Sequence, residues 1–334
     1  MPIRNEADFI ERAIRSILEN DYPAEKMDIL VVDGMSDDGT REIVQRLSQA
    51  DGRIRMLDNP RRIVPTAMNL GLKAAKGELF IRLDGHAEIP GDFISKSVQC
   101  LAEHPDAWVA GGPIRTVADT YAGRAIAAAM RSPVGVGNSR FRLGDYEGWV
   151  DTLAFGVHHK WVVDRVGYFD EELVRNQDDE FNLRIILASG RIWMSKAIQS
   201  TYFSRASLGR LWKQYFQYGF WRIRTLQKHK RPAGIRQVIP LAFVLSLLFP
   251  ALACLLWRPL LILLAAEIIL YMLALAIGAL DVGRKSGWRY APIAPLVFAL
   301  LHFAYGLGSL WGAVRFCVLR GHGMKKAEEM QMSR

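Results

Sequence analysis

Apolar residues at Ala7, Ile10, Ala13, Ile14, Ile17 and Leu18 recur at helical spacing, and Tyr22-Pro23 ends that segment. A short unbroken apolar run at 27–33 reads as a buried strand that finishes on the carboxylate of Asp33. The turn-rich residues 34–40 lead to a helix at 40–47. The cycle then repeats with a weak strand at 54–57, a helix at 65–75 stopped by Lys76-Gly77, and a second strand at 78–84 that finishes on Asp84. A helix at 93–103 and a strand at 108–112 follow. Strand–helix alternation predicts an α/β domain with a mostly parallel sheet and flanking helices. Ligands of such sheets bind at the carboxyl ends of the strands, which places Asp33 and Asp84 at one edge.

Residues 115–160 lack a clear period and are rich in Gly and Arg, as expected of loops over a site. A short helix at 160–166, a turn at 167–171 and a helix at 181–187 come next, the last introduced by Asn176-Gln177-Asp178-Asp179-Glu180. Residues 207–230 are amphipathic, with interleaved aromatics and cations. Three apolar segments then follow at 238–257, 260–280 and 291–314, each long enough to be a candidate membrane span. The pattern divides the chain into a catalytic domain over 1–206, an amphipathic membrane-interface segment over 207–236, a transmembrane region of two to three spans over 237–319, and a basic tail over 320–334. Two spans return the chain to the side that suits Arg284, Lys285 and Arg289. A third full span would carry Arg320, Lys325 and Lys326 across, against the positive-inside tendency, unless the last segment is re-entrant or interfacial. Glu267 and His302, each the lone ionisable residue of its segment, are expected to pair between helices.

Composition sharpens this picture at two points. Of 334 residues, 50% are hydrophobic, and the excess lies after Gln237. The net charge is +9, and many of the cations fall between 205 and 236, just before the apolar tail. That placement favours an anionic membrane surface, and no nucleic-acid-binding motif accompanies it. Cys100, Cys254 and Cys317 show no metal or disulfide spacing and read as reduced packing residues. The chain opens directly on Met1-Pro2-Ile3-Arg4-Asn5-Glu6, which reads as the end of an opening strand and suggests a clipped start with no signal peptide before it.

Three sets of carboxylates carry candidate chemistry. Asp33 and Asp84 at strand ends can accept from a ribose or base, or hold a divalent cation through oxygen; each can equally cap the turn that follows it. The run Asp178-Asp179-Glu180 at a helix start complements the helix dipole, and it can also supply a general base. His158-His159 has no third ligand at metal spacing and reads as packing or acceptor-loop histidines.

These residues, in this order, resemble the family-2 glycosyltransferases, whose catalytic domain has the GT-A fold. The resemblance is carried by Pro2-Ile3-Arg4-Asn5-Glu6, Val31-Val32-Asp33-Gly34-Met35-Ser36-Asp37-Asp38-Gly39-Thr40, Asn69-Leu70-Gly71, Arg82-Leu83-Asp84-Gly85-His86-Ala87, Gly167-Tyr168-Phe169-Asp170-Glu171 and Gln177-Asp178-Asp179-Glu180-Phe181-Asn182-Leu183-Arg184. It covers about residues 1–220 and is most similar to the succinoglycan-type exopolysaccharide enzymes of bacteria. It implies inverting sugar transfer from a nucleotide-sugar to a lipid-linked oligosaccharide or polysaccharide, at the cytoplasmic face of the inner membrane. Pro2, Arg4 and Glu6 would line the donor pocket, Asp33 would contact base or ribose, and Asp84 with Gly85 would reach the diphosphate. A divalent cation, Mg²⁺ or Mn²⁺, would sit at Asp84 and His86, the latter replacing the second Asp of the family's Asp-x-Asp motif. Asp178 would be the base, with Asp179 as the alternative because the acidic run is ambiguous by one. Gln214, Trp221 and Arg222 loosely echo the Gln-x-x-Arg-Trp of processive members and would face acceptor or phosphate. Two other functions fit: a polyprenyl-phosphate sugar synthase, and a non-catalytic nucleotide-binding membrane protein.

Overall fold

The computed structural model describes residues 1–204, 207–232 and 234–319. The basic tail expected at 320–334 lies outside the described residues. The chain forms two compact units. One comprises Met1–Thr116 and Gly144–Ser204; the other comprises Val117–Leu143 and the described residues of 205–328.

The first unit is an α/β domain. Strand β1 (Pro2–Ile3), helix α1 (Ile10–Leu18), β2 (Ile29–Asp33), α2 (Thr40–Ala50), β3 (Ile54–Asp58), α3 (Val64–Ala74), β4 (Leu79–Ile81), β5 (Ala87–Glu88), α4 (Phe93–Glu103) and β6 (Ala107–Gly111) follow in order. The spacing of Ile10, Ala13, Ile14 and Ile17 puts all four on the buried face of α1. Every residue of β2 is buried, as an unbroken apolar run requires. β1, β2 and β3 are parallel, and Ile3 pairs with Asp33 and Asp33 with Asp58. Ile3, Ile10, Ile14, Val31, Val44, Ile54, Leu83, Phe93, Phe155 and Val157 share one core. Each such side chain contributes roughly 1.5–3 kcal/mol by leaving water.

β7 (Ile114–Val117) follows β6, and after the boundary come β8 (Gly148–Val150), β9 (Val157–His159) and α8 (Trp161–Val166). α9 (Gln177–Leu187), β10 (Arg191–Met194) and β11 (Ser200–Phe203) complete the unit. The second sheet runs β4-β9-β6-β10-β8, with β6 and β10 parallel and β9 antiparallel to both neighbours. The third runs β5-β11-β7. Two elements differ from expectation near the candidate chemistry. β4 stops at Ile81, because Ala87 N–H donates to Asp84 O and folds 84–87 into a turn. α9 starts at Gln177 rather than 181, so the acidic run is its first turn.

The aperiodic stretch 115–160 is not a set of loops. Helices α5 (Tyr121–Ala129), α6 (Pro133–Val136) and α7 (Arg140–Leu143) lie within it and belong to the second unit. The reason is packing: Ala125, Ile126, Ala128 and Ala129 are buried in a cluster with Leu211, Leu275, Val297, Phe298 and Leu301. The rest of this unit is α10 (Leu208–His229), α11 (Ile239–Ala253), α12 (Leu260–Ser286) and α13 (Ala294–Ala313). α12, and α13 with its extension to Val318, are long and apolar enough to cross a membrane. α11 has only 15 residues and falls short of the ~20 a span needs. Glu267 and His302 do not pair with each other. Ser246 Oγ on α11 lies 2.5 Å from Glu267, while His302 bonds Tyr271 Oη at 3.1 Å and the Val134 carbonyl at 2.8 Å. Burial is not what the three cysteines share either: Cys100 is buried and Cys317 exposed.

α10 and α13 touch backbone to backbone. A Cβ on Gly219 would stand 2.0 Å from Tyr305 O, and one on Gly308 would stand 2.1 Å from Phe216 O. Small residues permit such approach and let dispersion act along the whole contact. Gly308→Ala should therefore lower the thermal midpoint of the detergent-solubilised protein by several degrees. Gly209→Ala, whose Cβ would meet nothing within 4 Å, should hold or raise it. Equal midpoints for the two variants, read by differential scanning fluorimetry, would remove the glycine contact as a cause of stability.

Candidate active site

The turn after β4 presents Arg82, Asp84, Gly85 and His86. Arg82 Nε and Nη2 donate to Asp84 Oδ1 at 3.1 and 2.9 Å, and Nη1 donates to Asp178 Oδ2 at 3.2 Å. The Arg82 side chain is 12% exposed and Asp178 38%. Burial works against the guanidinium's charge, but Asp84 and then Asp178 outweigh it and raise its pKa above the ordinary value. Two carboxylates expected to serve one reaction, from β4's end and from α9's first turn, thus share one cation. Arg82 itself has no role in the sequence reading. A signal for half of it was present: residues two apart on an extended backbone share a face, so Arg82 and Asp84 meet. The 96-residue separation to Asp178 gave none.

Beside this triad, His86 Nδ1 lies 2.8 Å from Glu6 Oε1. Gly85 allows it: a Cβ there would be 2.9 Å from Glu6 Cγ and 3.0 Å from Ile3 Cγ2. The loop that carries Glu6 is tied to the β2–α2 turn. Asn5 N–H donates to Ser36 Oγ, Asn5 Nδ2 to Asp37 Oδ1, Glu6 N–H to Thr40 Oγ1 and Ala7 N–H to Asp38 Oδ2. Asp38 also accepts from Thr40 N–H at 3.1 Å, an Asx turn at the start of α2. Burial pushes the Asp38 pKa up, but the hydrogen bonds from Thr40 and Ala7 prevail and hold it below the ordinary value.

Asp33 holds the turn that follows it, one of the alternatives its position offers. Its side chain is 0% exposed and accepts from Ser36 N–H at 3.0 Å, Ser36 Oγ at 2.5 Å and Arg41 Nη1 at 2.6 Å. Arg41 spans to Asp58 at 2.8 Å, and these two bonds, Asp58 first, raise its pKa. Pro2 lies in β1 opposite Val32, and Arg4 lies against Gly34, 3.2 Å from where a Cβ would stand. Asp179 is engaged elsewhere: its Oδ1 accepts from Thr152 Oγ1 at 3.0 Å, and Thr152 accepts from Asn182 at 2.8 Å.

Two clamps hold the turn that precedes α9. Asn69 Nδ2 donates to Phe169 O and Phe169 N–H donates back to Asn69 Oδ1, both at 2.9 Å. Glu180 grips Arg184 at 2.8 and 3.0 Å, and Arg184 donates to the carbonyls of Val166, Gly167 and Tyr168.

Gln214, Trp221 and Arg222 belong to the second unit. Trp221 and Arg222 are 2% and 3% exposed within its helices. Arg222 Nε donates to Tyr305 Oη at 3.1 Å, and Gln214 Nε2 to Tyr218 Oη at 3.0 Å. Trp221 and Arg222 face helix packing because α10 turns that side toward α13.

For a divalent cation, the described residues contain no group of three His, Cys, Asp or Glu side chains able to form a closed cage. Asp84 uses one oxygen for Arg82, and no described residue donates to its Oδ2. A single carboxylate oxygen facing a diphosphate suits a hard cation that takes its other ligands from phosphate and water. His86 engages Glu6 Oε1 through Nδ1.

The fold agrees with that of known proteins. Glycosyl transferase family 2 matches residues 1–165. The succinoglycan biosynthesis protein ExoA of Rhizobium meliloti (strain 1021) is 32% identical over 92% of this chain and 92% of its own. A Methanococcus voltae protein named as a dolichyl N-acetyl-glucosaminyl phosphate diacetamido-dideoxy-glucuronosyltransferase is 25% identical over 94% of this chain and 96% of its own. Among solved structures, the mannosyltransferase PcManGT of Pyrobaculum calidifontis, in complex with GDP-Man and Mn²⁺, superposes with a TM-score of 0.59 at 19% identity, over 93% of this chain and 85% of that one. The chain belongs to glycosyl transferase family 2: it is a glycosyltransferase with a GT-A fold.

His158 stacks on Phe80 at 4.6 Å, and its Nδ1 lies 2.9 Å from Gly156 O. Burial lowers its pKa to about 4, against a weaker upward pull from the Gly156 and Phe80 backbone. The folded state thus holds His158 neutral where the unfolded chain would take a proton. Its contribution is whole above pH 6.5 and is lost as pH falls toward 4, at up to ~1.4 kcal/mol per pH unit. His158→Gln should flatten the fall of unfolding free energy over that window in urea titrations, whatever it does to the absolute value. An unchanged slope would show that His158 is protonated in the fold.

Proposed function

We propose that this chain is an inverting glycosyltransferase that moves a sugar from a nucleotide-sugar to a lipid-linked oligosaccharide or growing polysaccharide at the cytoplasmic face of the inner membrane. The observation that carries the reading is Arg82 joining Asp84 to Asp178. It puts a diphosphate-side carboxylate and a half-exposed carboxylate in one cluster. Asp178 takes the proton of the acceptor hydroxyl as that oxygen bonds to the anomeric carbon. The carbon–oxygen bond to the diphosphate breaks on the opposite side, its electron pair leaving with the nucleoside diphosphate. A divalent cation at Asp84 Oδ2 would supply positive charge to that diphosphate. Pro2, Arg4, Glu6, Asp33 and Gly85 shape the donor pocket, Asp33 by holding the β2–α2 turn through Ser36. Asp179 positions the loop at Thr152 and is not the base.

Asp178→Asn should reduce turnover by ~10²–10⁴-fold with donor binding nearly intact, measured by radiolabelled transfer and by calorimetry with the nucleotide-sugar. Asp179→Asn should lose far less. The reverse order would move the base to Asp179.

The membrane anchor is read as the α11–α12 hairpin, joined by the Ser246–Glu267 hydrogen bond, with Trp257-Arg258 at its tip. α12 is about 40 Å long and largely exposed in its unit, enough for a core of about 30 Å. α13 is better placed at the interface, because the cation-bearing α10 packs along it. A chain cut at Arg236 would bare the buried face of α10 at Phe220 and Trp221, so the test uses the whole protein. In inside-out vesicles of a Cys254→Ser variant, an impermeant maleimide should label the exposed Cys317 without detergent. Labelling only after permeabilisation would put Cys317 on the far side, as an odd number of spans requires, and would contradict the hairpin.

A further inference from the structure

We infer that Arg82 is the positioning residue that sets the distance between the donor's diphosphate and the base. This rests on the reading of Asp178 as base. Asp84 sits just beyond β4 and Asp178 in the first turn of α9, and nothing in local structure fixes one against the other. Arg82 does so with separate edges of one planar group: Nε and Nη2 on Asp84 Oδ1, Nη1 on Asp178 Oδ2. Its donation to Oδ1 leaves Asp84 Oδ2 without a described donor. Asp178 is held from both sides, since its Oδ1 accepts from Asp179 N–H at 2.9 Å. Without the guanidinium the two carboxylates would repel across the site, and the base would swing away from the acceptor hydroxyl. A lysine carries the same charge but presents one compact ammonium, which cannot span both partners with fixed geometry.

Because a misplacement of about 1 Å can cost ~10²-fold in rate, Arg82→Lys should lower kcat by ~10–100-fold. The donor KM should change much less, because Asp84 keeps a cation beside it. The test measures kcat and donor KM for Arg82→Lys, Arg82→Gln, Asp178→Asn and the double variant Arg82→Lys/Asp178→Asn, with thermal midpoints to confirm folding. Expected is a kcat loss in Arg82→Lys, a larger one in Arg82→Gln, and no further loss when Arg82→Lys is added to Asp178→Asn. Lys retaining wild-type kcat while Asp178→Asn is inactive would overturn the inference and leave the base intact. So would a raised donor KM at unchanged kcat, which would make Arg82 a donor ligand. Additive losses in the double variant would also overturn it, by showing that Arg82 acts independently of Asp178. An active Asp178→Asn would instead overturn the assignment of the base, whatever Arg82→Lys does. If Arg82→Gln fails to fold, Arg82→Lys still decides.

Discussion

A buried guanidinium shared by two carboxylates is the constraint around which the catalytic unit is arranged. Arg82 is nearly enclosed, and Asp84 and Asp178 lying against it offset the cost of burying its charge. Removing either carboxylate would leave Arg82 short of a partner in a partly enclosed setting, which makes the cluster interdependent. It requires β4 to end early, so that 82–86 can turn, and α9 to begin at Gln177, so that Asp178 is in its first turn. Asp178 in that first turn also complements the partial positive charge of the helix terminus.

The surrounding polar network reads as support for this arrangement. The Asn5–Thr40 hydrogen bonds hold the Glu6 loop, and through Gly85 that loop closes on the turn carrying Asp84 and His86. Asn69 and Arg184 hold the turn at 166–171 from two sides, which fixes the approach to α9. Each clamp satisfies backbone groups that would otherwise be left unpaired in a partly buried setting. Residues far apart in the chain therefore serve one aim, a rigid frame for two carboxylates.

Much of the frame was legible in the sequence because local periodicity dictated it. The helix at 93–103 follows from apolar residues at helical spacing and the strand at 29–33 from a continuous apolar run. The relation of Asp84 to Asp178 was legible only as an order of motifs, since no spacing rule spans 94 residues of fold. The helices at 121–136 were missed because the Ala-rich stretch of α5 has no polar alternation and its cluster partners, such as Leu211 and Phe298, lie far along the chain. Trp221 and Arg222 are buried in helix packing, a setting that a Gln–Trp–Arg echo in the sequence does not distinguish from a face that meets substrate. His302 and Glu267 were rightly singled out as costly in an apolar helix, but each found a hydroxyl nearby instead of the other.

The second unit shows how a basic amphipathic helix and apolar helices can coexist. α10 sets its small and aromatic face against α13 and carries Lys213 and Lys228 on the same helix. The central claim nevertheless lies in the catalytic unit: one base, one displacement, one inversion at the anomeric carbon. Proton NMR of the first product formed from an α-linked nucleotide-sugar tests it directly. The account predicts a β-linked product at the earliest time points. An α-linked product would contradict it, because retention needs a second displacement that a single proton-accepting carboxylate at Asp178 does not provide.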